Sequence, residues 1–114
     1  MSTMTSPLAR LVLDEKQQNP TVEALQRQLF NLVDLALLLK QAHWNVLGQN
    51  FRSIHLQLDE ILETVREASD DVAERIAALG SPADGRAHAV AEHSELTHYS
   101  DSFENVSSTV AAVA

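Results

Sequence analysis

The sequence predicts a single all-α domain built around an antiparallel helical hairpin. Glycine and proline contribute only 3 residues each to the 114, too few for a turn-rich sheet protein. Hydrophobic residues make up 45% of the chain, which is typical of a protein with a packed core. They recur at spacings of three and four along two long stretches, and helices joined by a short turn pack antiparallel.

The first helix is predicted over about 20–47, after a poorly patterned N-terminal tail at 1–18. Its start is indicated by Asn-Pro-Thr at 19–21, because proline suits a first helical turn and Asn or Thr can cap it. An apolar stripe then continues for about seven turns. Gly48 is predicted to end this helix in the left-handed cap position.

The second helix is predicted over about 51–79. Asn50 can cap its start, and Gly80 and Pro82 are expected to stop it. Its own apolar stripe faces that of the first helix, as an antiparallel hairpin requires.

The rest of the predicted domain, which spans 19–114, is a connection at 80–97 and a helical segment at about 98–114. The last segment carries apolar residues at helical spacing. A two-helix hairpin with such wide apolar faces cannot bury them alone. The chain is therefore expected either to assemble with others or to be the front part of a longer bundle.

The net charge of −8 disfavours nucleic acid and acidic membranes as partners and favours cations. Because the chain has no cysteine, disulfides and thiol catalysis are excluded, and any metal must use histidine and carboxylate ligands. No signal-peptide core and no membrane-spanning apolar run are visible, so we expect a soluble cytoplasmic protein.

Four polar residues of the second helix share one face. Measured around the helix axis from His55, Asp59 lies at about 40°, Asp70 at about 60° and Glu74 at about 100°. Asp59 and Asp70 are nonetheless separated by about 16 Å along the axis. Since metal–ligand bonds are only about 2.0–2.2 Å long, one ion cannot reach both pairs in one chain.

A two-fold axis would bring the two pairs together. In two antiparallel copies, His55 and Asp59 of one chain would meet Asp70 and Glu74 of the other, and each dimer would hold two equivalent sites. His43 lies at a similar depth across the turn. This set of two imidazoles and three carboxylates suits iron, manganese or zinc, and its anionic oxygens favour Fe(III) over Fe(II).

Simpler interpretations remain open for the same residues. Each His or Asp, taken alone, is more often a solvated helix residue than a ligand, and Trp44 is more often core or interface than a redox group. His88, His93 and His98 lie in or beside the connection and form only a loose group. We do not expect them to bind a metal.

Residues 40–80 carry a specific resemblance, in the stretch KQAHWNVLGQNFRSIHLQLDEILETVREASDDVAERIAALG. Its elements HWNV-x-G, F-x-x-x-H-x-x-x-D, D-x-x-x-E-R and a closing LG resemble the Dps family, the miniferritins, with matching relative spacing. The resemblance extends more weakly from about residue 20 to the chain end. It implies a ferritin-like four-helix-bundle subunit, represented here by the first hairpin, the crossover segment and the beginning of a third helix.

The resemblance further implies a ferroxidase centre between two-fold related subunits of a hollow dodecamer. His43, His55, Asp70 and Glu74 would be iron ligands, and Asp59 would be a ligand or orient a bound water. Trp44 would lie beside the site, able to take an electron from it. Fe(II) would be oxidised to Fe(III), preferentially by hydrogen peroxide, and stored as mineral, which would protect DNA from oxidative damage.

The chain departs from the family pattern where it ends, near the expected start of the third helix. We therefore expect it to be a fragment of a longer protein or to form a poor cage, with Leu25, Leu29, Leu32 and Leu62 short of partners. Direct DNA binding is not expected, because the tail at 1–18 has only two basic residues. Two alternatives stay open: a non-enzymatic DNA-coating stress or nucleoid protein, and a helical interaction hairpin without metal.

Overall fold

The computed structural model describes residues 15–48 and 51–113. In these ranges the elements are the helices α1 (Glu15–Asn45), α2 (Phe51–Ala78), α3 (Ala87–His93) and α4 (Val106–Val113), with the short strands β1 (Val46–Leu47) and β2 (Glu104–Asn105). The predicted all-α class is confirmed, with the β1–β2 pairing as a small addition. Among the described helices, none is long and apolar enough to cross a membrane.

Helix α1 begins earlier than predicted. It starts at Glu15, so the predicted tail at 1–18 is wrong for its last four residues, and residues 1–14 lie outside the described part. Pro20 lies inside the helix instead of starting it. The proline ring removes only one helical hydrogen bond, the one to the carbonyl of Lys16. The helix therefore continues through Pro20.

The turn between the two long helices differs in detail from the prediction. Helix α1 ends at Asn45 because the next two residues pair in parallel with β2, Val46 opposite Glu104. Gly48 follows this pairing with φ +109°, a left-handed backbone angle that glycine adopts without strain. The predicted cap at Asn50 lies outside the described residues.

The end of α2 follows the prediction closely. Gly80 has φ +91°, and its amide donates to the carbonyl of Ala77 at 2.9 Å. The amide of Ser81 donates to the carbonyl of Ile76 at 3.2 Å. These two bonds form a Schellman motif, which satisfies carbonyls that the helix leaves without partners.

The core lies between α1 and α2. Its buried members are Leu39, Ala42, Leu58, Leu62 and Val65. The expectation of missing partners is wrong for two leucines, since Leu29 and Leu62 are only 3% and 1% exposed. Leu62 is part of the core between α1 and α2, whereas Leu25 and Leu32 stay half-buried.

The crossover after α2 is more structured than predicted. The connection at 80–97 contains α3, whose Ala89 and Val90 pack against Phe30 of α1. Within the segment at 98–114, only Val106–Val113 is helical among the described residues. Asn105 explains the late start, because its side-chain oxygen accepts the amide hydrogen of Ser108 and caps α4.

Two amide side chains of α1 fasten the crossover by paired hydrogen bonds. Gln26 donates to the carbonyl of Asp84 at 2.8 Å and accepts from its amide at 2.9 Å. Asn31 accepts from the amide of Glu95 at 2.9 Å and donates to its carboxylate at 3.1 Å. The crossover is therefore held along α1, and β2 is brought to the turn beside β1.

Candidate metal centre

The turn end of the hairpin brings two predicted ligands together. His43 lies in the last turn of α1, and His55 lies in the second turn of α2. The pairing of β1 with β2 fixes the chain direction directly after His43. His43 is only 9% exposed, while His55 is half-buried, so both rings are partly withdrawn from water.

The two imidazoles brace each other across the hairpin. Their rings stack with centroids 3.6 Å apart and an interplanar angle of 18°. The Nδ1 of His43 lies 2.6 Å from the backbone carbonyl oxygen of His55, and the Nδ1 of His55 lies 2.7 Å from that of His43. The carbonyl of His43 is free for this bond because the last carbonyls of a helix lack helical partners.

These reciprocal bonds decide which ring nitrogen can bind a metal. A carbonyl oxygen can only accept, so each Nδ1 must carry the hydrogen and donate it. In the neutral ring, Nε2 then holds the lone pair. A hydrogen bond from the far nitrogen to a carbonyl is the usual way in which proteins orient a histidine ligand. His43 and His55 thus present two Nε2 atoms with fixed tautomers.

Asp59 follows His55 by one helical turn and is paired with a cation. Its Oδ1 accepts a hydrogen bond from Nζ of Lys40 on α1 at 2.9 Å. This hydrogen bond is the main reason that the pKa of Asp59 lies below its usual value. Desolvation opposes it, and the positive charge of Lys40 and the nearby His43 and His55 add to the lowering. Asp59 is therefore an anion at neutral pH.

Asp70 and Glu74 are exposed farther along α2. No hydrogen bond or ion pair joins either one to another residue in the described ranges. Asp70 lines an open groove of about 620 Å³ together with Trp44 and Leu37, whose exposed fractions are 64% and 61%. The groove thus combines a free carboxylate with exposed apolar side chains.

The five predicted ligands do not complete a site within one chain. Residues 15–48 and 51–113 contain no cluster of three or more His, Asp or Glu side chains close enough to hold a metal ion. His43 stacks on His55, and Asp59 forms an ion pair with Lys40. Asp70 and Glu74 are exposed. Asp59 and Asp70 lie on one uninterrupted helix, α2, and the two-chain ligand set stays a prediction.

The structure also adds a residue that the sequence interpretation missed. Lys40 precedes His43 by three residues, a spacing that places both on the same face of α1. That spacing was the available signal, but it did not indicate the pairing with Asp59 across the hairpin. Of the remaining histidines, His93 stacks on Phe30 with ring centroids 5.1 Å apart, a packing role in the crossover.

Comparison with known proteins identifies one family. The family model described as Ferritin-like domain matches residues 22–113. The DNA protection during starvation protein of Mycolicibacterium smegmatis (strain ATCC 700084 / mc(2)155) is 39% identical over 101 residues, covering 89% of this chain and 55% of the relative. The chain thus spans about half the length of this curated relative.

Solved structures agree with the sequence relatives. The Mycobacterium smegmatis Dps in its tetragonal form superposes with a TM-score of 0.86 at 37% identity, covering 99% of this chain and 66% of that one. The Dps92 of Deinococcus radiodurans gives a TM-score of 0.83 at 34% identity, covering 85% and 59% respectively. The predicted ferritin-like fold is confirmed by this similarity.

Proposed function

Because this chain belongs to the Dps family of ferritin-like proteins, we propose that it acts in iron storage and detoxification as a ferroxidase. Fe(II) is the substrate, and hydrogen peroxide is the preferred oxidant. Two Fe(II) ions give one electron each to one peroxide, which with two protons yields two waters and two Fe(III). The ferric product is stored as mineral.

The observation that carries this proposal is the braced histidine pair. Two stacked imidazoles whose Nδ1 atoms both donate to backbone carbonyls have only their Nε2 atoms left for a ligand. Donation from the far ring nitrogen to a carbonyl is how proteins usually orient histidine ligands, and both rings have it here. Iron accepts imidazole nitrogen readily, and a pre-oriented pair lowers the entropy lost on binding it.

The carboxylates that the site still requires are available on the same helix. Asp70 and Glu74 are exposed and lie beyond the reach of an ion held by His43 and His55 of the same chain. We propose that two chains pair antiparallel, so that the acids of one complete the histidines of the other. The apolar rim of the groove beside Asp70, with Leu37 and Trp44, gives such a pairing surface to bury.

Protection of DNA follows from this chemistry without contact with DNA. Removing Fe(II) and peroxide together withdraws the reagents of radical damage. The relatives carry DNA protection in their names. The net charge of −8 opposes direct binding to a polyanion, so the DNA-coating alternative predicts a salt-sensitive DNA retardation that we do not expect. A location in the cytoplasm, or on the nucleoid if DNA is bound, stays a prediction.

The decisive experiment is stopped-flow oxidation of substoichiometric Fe(II) by hydrogen peroxide. The wild-type chain is compared with a His43→Ala, His55→Ala variant, and with a His88→Ala, His98→Ala control that removes two exposed histidines of the crossover region. The ferroxidase proposal is supported if the wild type and the control oxidise Fe(II) rapidly while the His43→Ala, His55→Ala variant oxidises it only at the buffer rate. Equal rates in all three, none above buffer, would refute it for this chain.

A further inference from the structure

The charge of α2 presents a difficulty for the proposed pairing with a second copy of the chain. The helix carries seven acidic residues and only three arginines, Arg52, Arg66 and Arg75. Two such helices side by side bring many carboxylates close together, and like charges at short range repel one another. A stable antiparallel pair therefore needs positive charge close to the middle of the contact.

The proposed ligand set defines where the middle of that contact lies. The two candidate pairs, His55 with Glu74 and Asp59 with Asp70, are each centred on the same point of α2, midway between residues 64 and 65. A two-fold axis that joins the members of each pair across two chains must therefore pass α2 at this point. Every residue of one chain then faces the residue that is equally far from this point on the other side in the second chain.

Glu63 and Arg66 are the charged residues nearest to this point on the same face of α2. Measured around the helix axis from His55, Glu63 lies at about 80° and Arg66 at about 20°, within the arc of the candidate ligands. They flank the point at equal distances, about 2 Å along the axis. In an antiparallel pair, Glu63 of one chain and the partner's Arg66 therefore lie at the same depth, and the symmetry makes this contact twice.

Both side chains are exposed and available for such a contact. Within the described residues, neither Glu63 nor Arg66 forms an ion pair, although they are only three residues apart. Arg66 lines the groove of about 620 Å³ that contains Trp44 and Asp70. It also lines a groove of about 410 Å³ that contains Asp59 and Glu63. A cation and an anion thus border the surface on which the proposed function places the second chain.

We propose that two reciprocal ion pairs, each between Glu63 of one chain and the partner's Arg66, hold the antiparallel contact of α2 with a second copy. This inference rests on the proposed function, because the shared ligand set defines the position of the axis. The pairs supply positive charge at the centre of an otherwise acidic contact, and the exposed side chains of Leu37 and Trp44 in the adjoining groove give the contact apolar area to bury. Complementary charges of this kind select the partner and its orientation more than they add affinity.

The test is an exchange of charges, measured by the self-association of the full chain. Analytical ultracentrifugation of a dilution series gives the concentration at which half of the chains are associated. Glu63→Arg should raise this concentration by about tenfold or more, because the substitution removes two ion pairs and creates two like-charge contacts. Arg66→Glu should do the same. High salt should reduce both effects, since it screens exposed charges.

Two recoveries make the test specific to this pair of residues. The double variant Glu63→Arg, Arg66→Glu restores both ion pairs with reversed polarity, and its association should return to within about threefold of the wild type. A co-refolded equimolar mixture of the two single variants should also associate, because a chain of one kind complements a chain of the other. Each single variant measured alone should stay weakly associated.

Asp71→Arg and Arg75→Glu are the matched controls. They make the same changes of net charge at exposed positions of α2, but they lie at about 160° and about 200° from His55 and line neither groove. General repulsion between acidic chains predicts that Glu63→Arg and Asp71→Arg both strengthen association. The reciprocal pairs predict that Glu63→Arg weakens it while Asp71→Arg does not. Circular dichroism checks the helix content of every variant.

The results distinguish this proposal from the proposed function. The ion pairs are refuted if Glu63→Arg associates as well as the wild type, or if either the double variant or the mixture fails to recover association. If they are refuted while Fe(II) oxidation still depends on residues of two chains, the shared site stands without them. If the charge exchange succeeds but Fe(II) oxidation never exceeds the buffer rate, the pairing stands and the ferroxidase fails. A wild type that does not self-associate removes both the ion pairs and the shared site.

Discussion

The two ends of α2 carry similar residue types in different surroundings. At the turn end, His55 and Asp59 each have a partner on α1, a stacked ring and a backbone carbonyl for one and an ammonium group for the other. Near the other end, Asp70 and Glu74 are exposed and carry no such partner among the described residues. The residues at the turn end are organised inside the chain, and the acids at the other end are the ones that the proposal assigns to a second molecule.

This contrast is what the proposed metal centre, shared between two chains, would require. Orienting histidines requires fixed hydrogen bonds, which the hairpin can supply internally. Free carboxylates on an exposed face cost little to keep in water, since they remain solvated until a cation arrives. In a two-fold dimer, as proposed, the histidine end of one chain would meet the acidic end of the other without any additional structural element.

The largest expected effect tests whether the halves belong to different chains. Asp70→Ala plus Glu74→Ala should reduce Fe(II) oxidation by at least about 100-fold, as should His43→Ala plus His55→Ala, because each removes one half of every site. A mixture of the two variants, unfolded and refolded together, should recover about a quarter of the wild-type rate. Half of the pairs are then mixed, and each mixed pair holds one complete site.

Peroxide-driven oxidation of the co-refolded mixture is compared with that of the two variants refolded separately and then combined. A co-refolded mixture as inactive as its parts would contradict the shared site. Full activity in the Asp70→Ala, Glu74→Ala variant alone would show that the histidine half does not need these acids.

A smaller effect is expected on stability, and it should differ between the two ends. His55→Ala removes the stacked ring and the hydrogen bond to the carbonyl of His43, and we expect it to lower the free energy of unfolding by about 1–2 kcal/mol. Asp70→Ala removes an exposed side chain and should change it by less than about 0.5 kcal/mol. Urea denaturation without metal measures the change in the free energy of unfolding for both variants. Equal changes would show that the stacked and hydrogen-bonded histidine pair adds no stability.

The smallest effect concerns the backbone of the turn. Gly48 has φ +109°, and a Cβ at this position would meet no atom closer than the amide nitrogen of Val106 at 3.9 Å. Gly48→Ala should therefore cost about 1 kcal/mol through backbone strain alone, without a clash. Gly85→Ala is the matched control, because its nearest neighbour is also at 3.9 Å but its φ is not in the left-handed range.

Thermal or urea unfolding of both glycine variants tests this difference. Gly85→Ala should be neutral or slightly stabilising, since alanine restricts the unfolded chain more than glycine does. If Gly48→Ala were as well tolerated as Gly85→Ala, the left-handed turn beside the histidine pair would not be required for folding.

The sequence alone was sufficient to predict the hairpin and the spacing of the candidate ligands along it. Apolar residues at helical spacing define the two long helices, and Gly80 with Pro82 correctly predicts the end of α2. The separation of Asp59 from Asp70 follows from helical rise, so the division into two halves was also predictable. These are local properties, because they depend only on the order of residues along one helix.

The tertiary structure decided the contacts that cross between elements. The stacked rings of His43 and His55, the pairing of Lys40 with Asp59 and the parallel strands that shorten α1 all join residues distant in sequence. Such contacts depend on the rotation and relative depth of two packed helices to within a fraction of an ångström. Periodicity fixes the buried face of each helix, but it does not fix which side chains meet across the interface, and that choice determines the chemistry of the site.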